Sequence, residues 1–300
     1  MGRGLEGLVI SVLGGDYREV GLIKEFLAQG ARVVIFGYPP MPELTGCQPA
    51  RTVWDAIRGA NVIVVAMGGL DVGGKIRTLD PDVTVHVTEE LLMAIGPGVP
   101  VLIGVARPRL KNLANKHGIN LIEVAEIDEI AIANSIPTAE GAVQIAMEEL
   151  PITIHGSNSF VMGFGRVGIT MARVLIGLGA HTYVVARNPA QLARAEEMGA
   201  VAISMADIKE YIGLADVVFN TIPYIVLTED ILKCMKAGSL IIDLASDPGG
   251  TDFDAAAKLG IRAILALGLP GKVAPRTAGQ ILVRTVPGLI QRTLALSRRP

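Results

Sequence analysis

Cysteine is nearly absent. Only Cys47 and Cys234 occur in 300 residues, and neither belongs to a C-x-x-C pair or a Cys/His cluster. This excludes a disulfide framework, argues against a structural metal and suits a reducing cytoplasm, with both thiols expected as small buried groups. Charge is also sparse: 19% of residues, net -2, and no basic run. Nucleic acid and anionic membrane therefore have no electrostatic footing as partners. Apolar runs are short and interrupted, well under the ~20 residues a membrane helix needs. The run Leu8–Leu13 ends in Gly14-Gly15-Asp16, so it reads as a first strand rather than a signal core, with Asp16 capping the next helix. Histidine is the last scarcity: His86, His117, His155 and His181 are all there are, and none follows residue 181.

Half the residues are hydrophobic, as expected where parallel strands are buried on both faces. The length suits two domains. Strand-like runs at Leu8–Leu13, Arg32–Phe36, Asn61–Val65, Val101–Val105 and Ile119–Val124 alternate with helical spacing at Tyr17–Gln29, Thr88–Ile95 and Arg109–His117. After Gly156 the plan repeats, with strands near Phe160, Tyr183, Val201, Val217, Leu240 and Ile261. Gly30-Ala31 and Gly179-Ala180 each end a first helix and open a second strand, an echo between the halves. The expected fold is α/β: two doubly wound, Rossmann-like parallel-sheet domains with a cleft between them. The first covers residues 1–134, with 284–300 returning to it; the second covers 135–283. A hinge helix starting at Pro137 joins them, and Ala274–Ser297 forms a return helix interrupted near Pro287-Gly288.

The strongest motif lies in the second half. A strand runs into Gly163-Phe164-Gly165-Arg166-Val167-Gly168, and a helix follows at once. In G-x-G-x-x-G the first glycine permits a tight turn and the second admits a pyrophosphate. The third lets the helix pack on the strand, which aims the helix N-terminus at the phosphates. The next strand ends Ala186-Arg187-Asn188. An NAD site usually carries a carboxylate there for the ribose 2′-OH. Here Arg187 offers a permanently charged fork suited to a 2′-phosphate, so NADP is favoured over NAD. Asn188 either bonds that phosphate or caps the helix starting at Pro189.

Ligands of such sheets lie beyond the carboxyl ends of the strands. Those ends place Thr221, Asp243 and Ser246 beside a nicotinamide, or leave them as local turn residues. Arg276, at the start of the return helix, suits a substrate carboxylate. Ser135 and Thr138, at the start of the hinge helix, offer hydroxyls and free N–H groups to an anion. Lys272 is a weaker candidate. Oxidising a 2-hydroxyacid needs a base, normally a histidine after the last strands, and that loop has neither His nor Glu. His155, just before the nucleotide-binding strand, reads as structural.

Further blocks extend well beyond the glycine turn. They include Ile130-Ala131-Ile132, Asn134-Ser135-Ile136-Pro137-Thr138, Glu140-Gly141, Thr153-Ile154-His155-Gly156-Ser157 and Asp243-Leu244-Ala245-Ser246. To these are added Pro248-Gly249-Gly250-Thr251-Asp252-Phe253, Gly268-Leu269-Pro270-Gly271, Ala274-Pro275 and Thr277-Ala278-Gly279-Gln280-Ile281-Leu282. In this combination the chain resembles the A-subunit family of bacterial dipicolinate synthases, most densely over residues 130–282. Asp247, where a basic residue is expected, and Lys272 depart from the family pattern. The resemblance implies oxidation of 2,3-dihydrodipicolinate to pyridine-2,6-dicarboxylate with NADP⁺. It places that step in sporulation, in the mother-cell cytoplasm, at a branch of lysine and diaminopimelate synthesis. It also implies that the flavoprotein-like B-subunit of dipicolinate synthase is a partner, within a homo-oligomer or heteromer. Alternatives are a two-domain dehydrogenase of the alanine or 2-hydroxyacid type, and a non-catalytic nucleotide-binding subunit of a heteromeric synthase.

Overall fold

The computed structural model describes residues 4–71, 73–246 and 248–297, so Asp247 lies outside the described residues. The chain divides into two compact units, Met1–Ala131 with Pro275–Pro300 and Ile132–Ala274.

In the first unit the strands are β1 (Val9–Leu13), β2 (Arg32–Phe36), β3 (Gln48–Pro49), β4 (Val62–Val65), β5 (Lys75–Ile76), β6 (Val85–His86), β7 (Val101–Ile103) and β8 (Leu121–Glu123). Six of them form a parallel sheet in the order β3-β2-β1-β4-β7-β8, while β5 and β6 pair apart as an antiparallel ribbon. Helices α1 (Tyr17–Ala28), α2 (Val53–Ile57), α3 (Glu89–Ile95) and α4 (Pro108–Lys116) connect them. Val and Ile dominate the central strands, and β4 is buried along its whole length, as two-sided cover requires. Asp16 caps α1 as expected, in a reciprocal capping box with Glu19. Neither cysteine is the buried thiol expected: Cys47 is half-buried and Cys234 exposed, because both lie in short connections outside the sheets.

The next helix, α5 (Asp128–Glu149), carries the chain into the second unit. It starts nine residues before the expected Pro137, which lies inside it. An internal proline removes one N–H and crowds the carbonyl four residues back. The helix continues through it because Ala139, Ala142 and Ala146 are fully buried in the core of the second unit.

The second unit follows with strands β9 (Asn158–Met162), β10 (His181–Ala186), β11 (Val201–Ser204), β12 (Val217–Asn220), β13 (Leu240–Asp243) and β14 (Arg262–Leu265). Their order, β11-β10-β9-β12-β13-β14, is that of a dinucleotide-binding doubly wound sheet, and every pairing is parallel. Helices α6 (Arg166–Gly177), α7 (Pro189–Glu197), α8 (Ile208–Tyr211), α9 (Glu229–Leu232), α10 (Phe253–Lys258) and α11 (Leu269–Val273) link them. Along β9, Phe160 and Val161 belong to separate buried clusters, the two-residue alternation of a sheet covered on both sides.

The last helix, α12 (Pro275–Ser297), packs on α1 within the first unit. It is continuous through Pro287 rather than interrupted there. Its buried Ile281, Leu282, Val286, Leu289 and Ile290 recur at helical spacing, and that packing holds the helix where one hydrogen bond is lost. Glycines lie at the contact: a Cβ at Gly21 would stand 3.7 Å from Val283 and one at Gly279 would stand 3.6 Å from the Cα of Arg18, both ordinary van der Waals distances.

Candidate functional site

The three glycines of the β9–α6 turn meet three different constraints. Gly163 has φ +88°, and a Cβ there would meet Thr221 Oγ1 at 2.7 Å and Ile222 at 2.8 Å. A Cβ at Gly168 would collide with the Gly163 carbonyl, so α6 needs glycine to approach the strand. Gly165 is different: it caps α6, and a Cβ built on it meets nothing within 4 Å. An open face therefore lies over the start of a twelve-residue helix, whose first-turn amides have no acceptor within the helix. A pyrophosphate fits that face. Phe164 is buried, and its carbonyl accepts a hydrogen bond from Gln191 Nε2 at 3.1 Å, tying the turn to α7. Arg166 and Val167 begin α6, both partly exposed.

At the end of β10, Arg187 is exposed. Its Nη2 donates to Tyr224 Oη at 2.6 Å, and its guanidinium carbon lies 5.6 Å from the Tyr224 ring centroid. No motif marked Tyr224 in the sequence: it meets Arg187 from 37 residues away, and nothing local signals that pairing. Asn188 caps α7, its Oδ1 accepting from Ala190 N at 2.9 Å. Its side-chain oxygen is thus engaged by the helix.

Beyond β12 and β13 the hydrogen bonds of Thr221 and Asp243 serve local structure, one of the two roles expected of them. Thr221 Oγ1 donates to the Met162 carbonyl at 2.8 Å, joining β12 to the glycine turn. Asp243 is fully buried and accepts from Asn220 Nδ2 (2.9 Å), Ala245 N (3.1 Å), Gly250 N (2.9 Å) and Thr251 Oγ1 (2.6 Å). With four donors on it, this carboxylate organises the loop after β13. Ser246 is exposed in that loop, its carbonyl accepting from Gly249 N at 2.8 Å.

The substrate-side candidates separate. Because α5 begins at Asp128, Ser135 and Thr138 lie in its interior rather than at a free N-terminus. Ser135 is fully buried; its hydroxyl donates to the Ile132 carbonyl and shares a 2.6 Å hydrogen bond with Thr170 of α6. Thr138 Oγ1 donates to the Asn134 carbonyl at 2.8 Å. Neither supplies an anion cradle, because the amides there are spent on the helix. Arg276 is exposed in the first turn of α12, in the first unit, and Lys272 is exposed on α11. His155 Nδ1 lies 3.2 Å from the Leu178 carbonyl, and its ring fills the space a Cβ at Gly179 would need, a packing role.

The first unit holds an ionisable cluster of which only Asp16 stood out in the sequence. Arg18 forks onto Asp16, Nε to Oδ1 and Nη2 to Oδ2, both at 2.9 Å. Burial opposes ionisation of Asp16, but the Arg18 guanidinium and amide hold its carboxyl below the usual range. Glu19 is fully buried, accepting from Asp16 N at 2.7 Å and from Met67 N. Burial, reinforced by the Asp16 charge, pushes Glu19 up to about 7. A faint signal was present: the D-x-x-E spacing after Gly14-Gly15 is a capping box, which draws the Glu19 carboxylate back toward the turn. Among the described residues no helix is long and apolar enough to cross a membrane.

Comparison with known proteins agrees with this geometry. Residues 9–125 match the family model of the N-terminal domain of the dipicolinate synthase A-subunit. Residues 130–293 match that of the alanine dehydrogenase/PNT C-terminal domain. The chain is 38% identical to the dipicolinate synthase A-subunit of Bacillus subtilis, covering 95% of this chain and 97% of that protein. Crystal structures of that protein from Bacillus subtilis (TM-score 0.89, 37% identity, 97% and 98% covered) and Bacillus halodurans (TM-score 0.88, 36% identity, 95% and 98% covered) superpose on it. The chain belongs to the dipicolinate synthase A-subunit family, and its C-terminal half is a dehydrogenase-type domain of the kind that binds a nicotinamide dinucleotide.

Proposed function

We propose that this chain oxidises 2,3-dihydrodipicolinate to pyridine-2,6-dicarboxylate with NADP⁺ as hydride acceptor, working beside a B-subunit in the mother cell of a sporulating bacterium. The observation that carries the coenzyme choice is the end of β10, where Arg187 is exposed and no carboxylate stands. A 2′-phosphate is drawn to that guanidinium, whereas an NAD site would need an acceptor for the 2′-OH.

When bound, the nicotinamide supplies a two-electron hydride acceptor. The protein's part is placement. Gly163, Phe164, Gly165 and Gly168 shape the pyrophosphate face, and the first turn of α6, Arg166 and Val167 included, complements its charge. Thr221 and Ser246 would border the nicotinamide. Arg276 holds a substrate carboxylate bidentately. Loss of hydride and a proton makes the ring aromatic, so the proton is readily released to water. No strong protein base is then needed, which agrees with the missing histidine and with an Asp243 already saturated by donors. Positioning supplies most of the rate. The same observations weigh against an alanine or 2-hydroxyacid dehydrogenase, which must deprotonate its substrate.

The test is reconstitution: purified chain, dihydrodipicolinate and NADP⁺, with NADPH formation followed. Turnover by the chain alone, lost in Arg276→Ala while NADP⁺ still binds, is the expected result. Turnover only after the B-subunit is added would make this chain the nucleotide-binding half of a shared activity. Oxidation of alanine or a 2-hydroxyacid instead would overturn the reading.

A further inference from the structure

The Arg187–Tyr224 pair is the one exposed aromatic–guanidinium contact among the described residues, and it stands where the adenosine end of a dinucleotide belongs in a sheet of this order. Three links tie it to the glycine turn. Ile222 abuts Gly163, Gln191 of α7 holds the Phe164 carbonyl, and Gly163 N donates to Val185 in β10 at 2.8 Å.

The loop that presents Tyr224 is braced rather than loose. Asn220 Nδ2 donates to the Ile222 carbonyl at 3.1 Å, while Val226 N and Leu227 N donate to the Gly250 carbonyl at 2.9 and 3.0 Å. A Cβ at Gly250 would run into the carbonyls of Ile222 and Tyr224, so these two loops need that glycine to close on each other. Yet Tyr224 itself remains 51% exposed. A large aromatic side chain held outward on a braced loop, with its hydroxyl on an arginine, is arranged to meet something.

We infer that Tyr224 is a coenzyme-specificity residue: its phenol, oriented by Arg187, completes a site for the 2′-phosphate of an adenosine ribose. The inference rests on the NADP reading above and extends it to a residue outside the fingerprint. Arg187 Nη2 is fixed by the phenol oxygen, which keeps the guanidinium plane from rotating away and leaves its other N–H groups for phosphate oxygens. The phenol accepts from Arg187 and so has its own proton to give, a donor aimed at the same phosphate. A ribose bearing only a 2′-OH would forgo the ion pair with Arg187 and a charge-assisted bond from the phenol, which disfavours NAD relative to NADP.

Calorimetry with adenosine 2′,5′-bisphosphate and adenosine 5′-monophosphate tests this without turnover. The two probes differ only in the 2′-phosphate. The expected result is that the intact chain prefers the bisphosphate, and that Tyr224→Phe weakens it about ten-fold, the scale of one charge-assisted hydrogen bond, while the monophosphate changes less than about two-fold. Phenylalanine keeps the ring, so the variant changes little but the hydroxyl. Equal weakening of both probes would mean the residue serves the adenine, and no weakening of either would mean it serves nothing; each overturns the inference while leaving NADP in place. If the intact chain shows no preference between the probes, the NADP reading itself falls.

Discussion

A carboxyl group shut away from water, as Glu19 is, couples proton uptake to folding. Its pKa of about 7 stands above the ordinary 4.5, so between those values the folded chain keeps a proton that the unfolded chain has released. The stability Glu19 contributes is complete below about pH 4.5, falls as pH rises and levels off above about 7. Denaturant midpoints measured across that interval should decline in the native sequence, and Glu19→Gln should flatten the decline. An unchanged slope would remove Glu19 as its source. The same residue scale separates two neighbouring glycines. Gly165→Ala places its methyl in open space at an ordinary negative φ, where Gly163 sits at a positive one. Stability of the Gly165 variant should stay within about 1 kcal/mol of the native chain, while NADP⁺ affinity drops sharply because the methyl occupies the pyrophosphate face. A thermal melt and a binding titration on one sample check both halves. The glycine turn after β9 and the place of Arg187 at the end of β10 were legible, because both follow directly from strands that the sequence marks. The contact of Tyr224 with Arg187 was not, since 37 residues separate the two, and of Glu19 only the capping-box spacing showed, not its burial.

Among the elements, α5 shows where sequence reasoning stops. Pro137 is favoured at a first helical position, so the expected helix began there. Packing of Ala139, Ala142 and Ala146 outweighs the lost hydrogen bond, and such packing leaves no local mark. Gln48–Pro49, Lys75–Ile76 and Val85–His86 escaped notice for another reason: two residues hold no period to read. The correction at α5 has a measurable result. Ser135→Ala breaks the buried bond to Thr170 and should cost about 1 kcal/mol of stability. The KM for dihydrodipicolinate should not move, whereas a residue touching substrate would raise it.

For the molecule as a whole, the alternation of Val- and Ile-rich runs with helical spacing was enough to give two parallel sheets, because two-sided burial writes itself into composition. On the NADP reading, saturating NADP⁺ should raise Tm by linkage, by about 2.7 kcal/mol of added stability at one hundred times Kd, and NAD⁺ at equal concentration should raise it less. Equal shifts would indicate a site blind to the 2′ position. One consequence concerns order of synthesis. The first unit is discontinuous, since α1 is covered by α12, and α12 emerges from the ribosome after the whole second unit. The sheet of the first unit must wait with one helix uncovered while the nucleotide-binding half is translated, so of the two units the one begun first is completed second. A nonsense codon just before Pro275 should consequently spare the later half and leave the earlier one as prey for proteases.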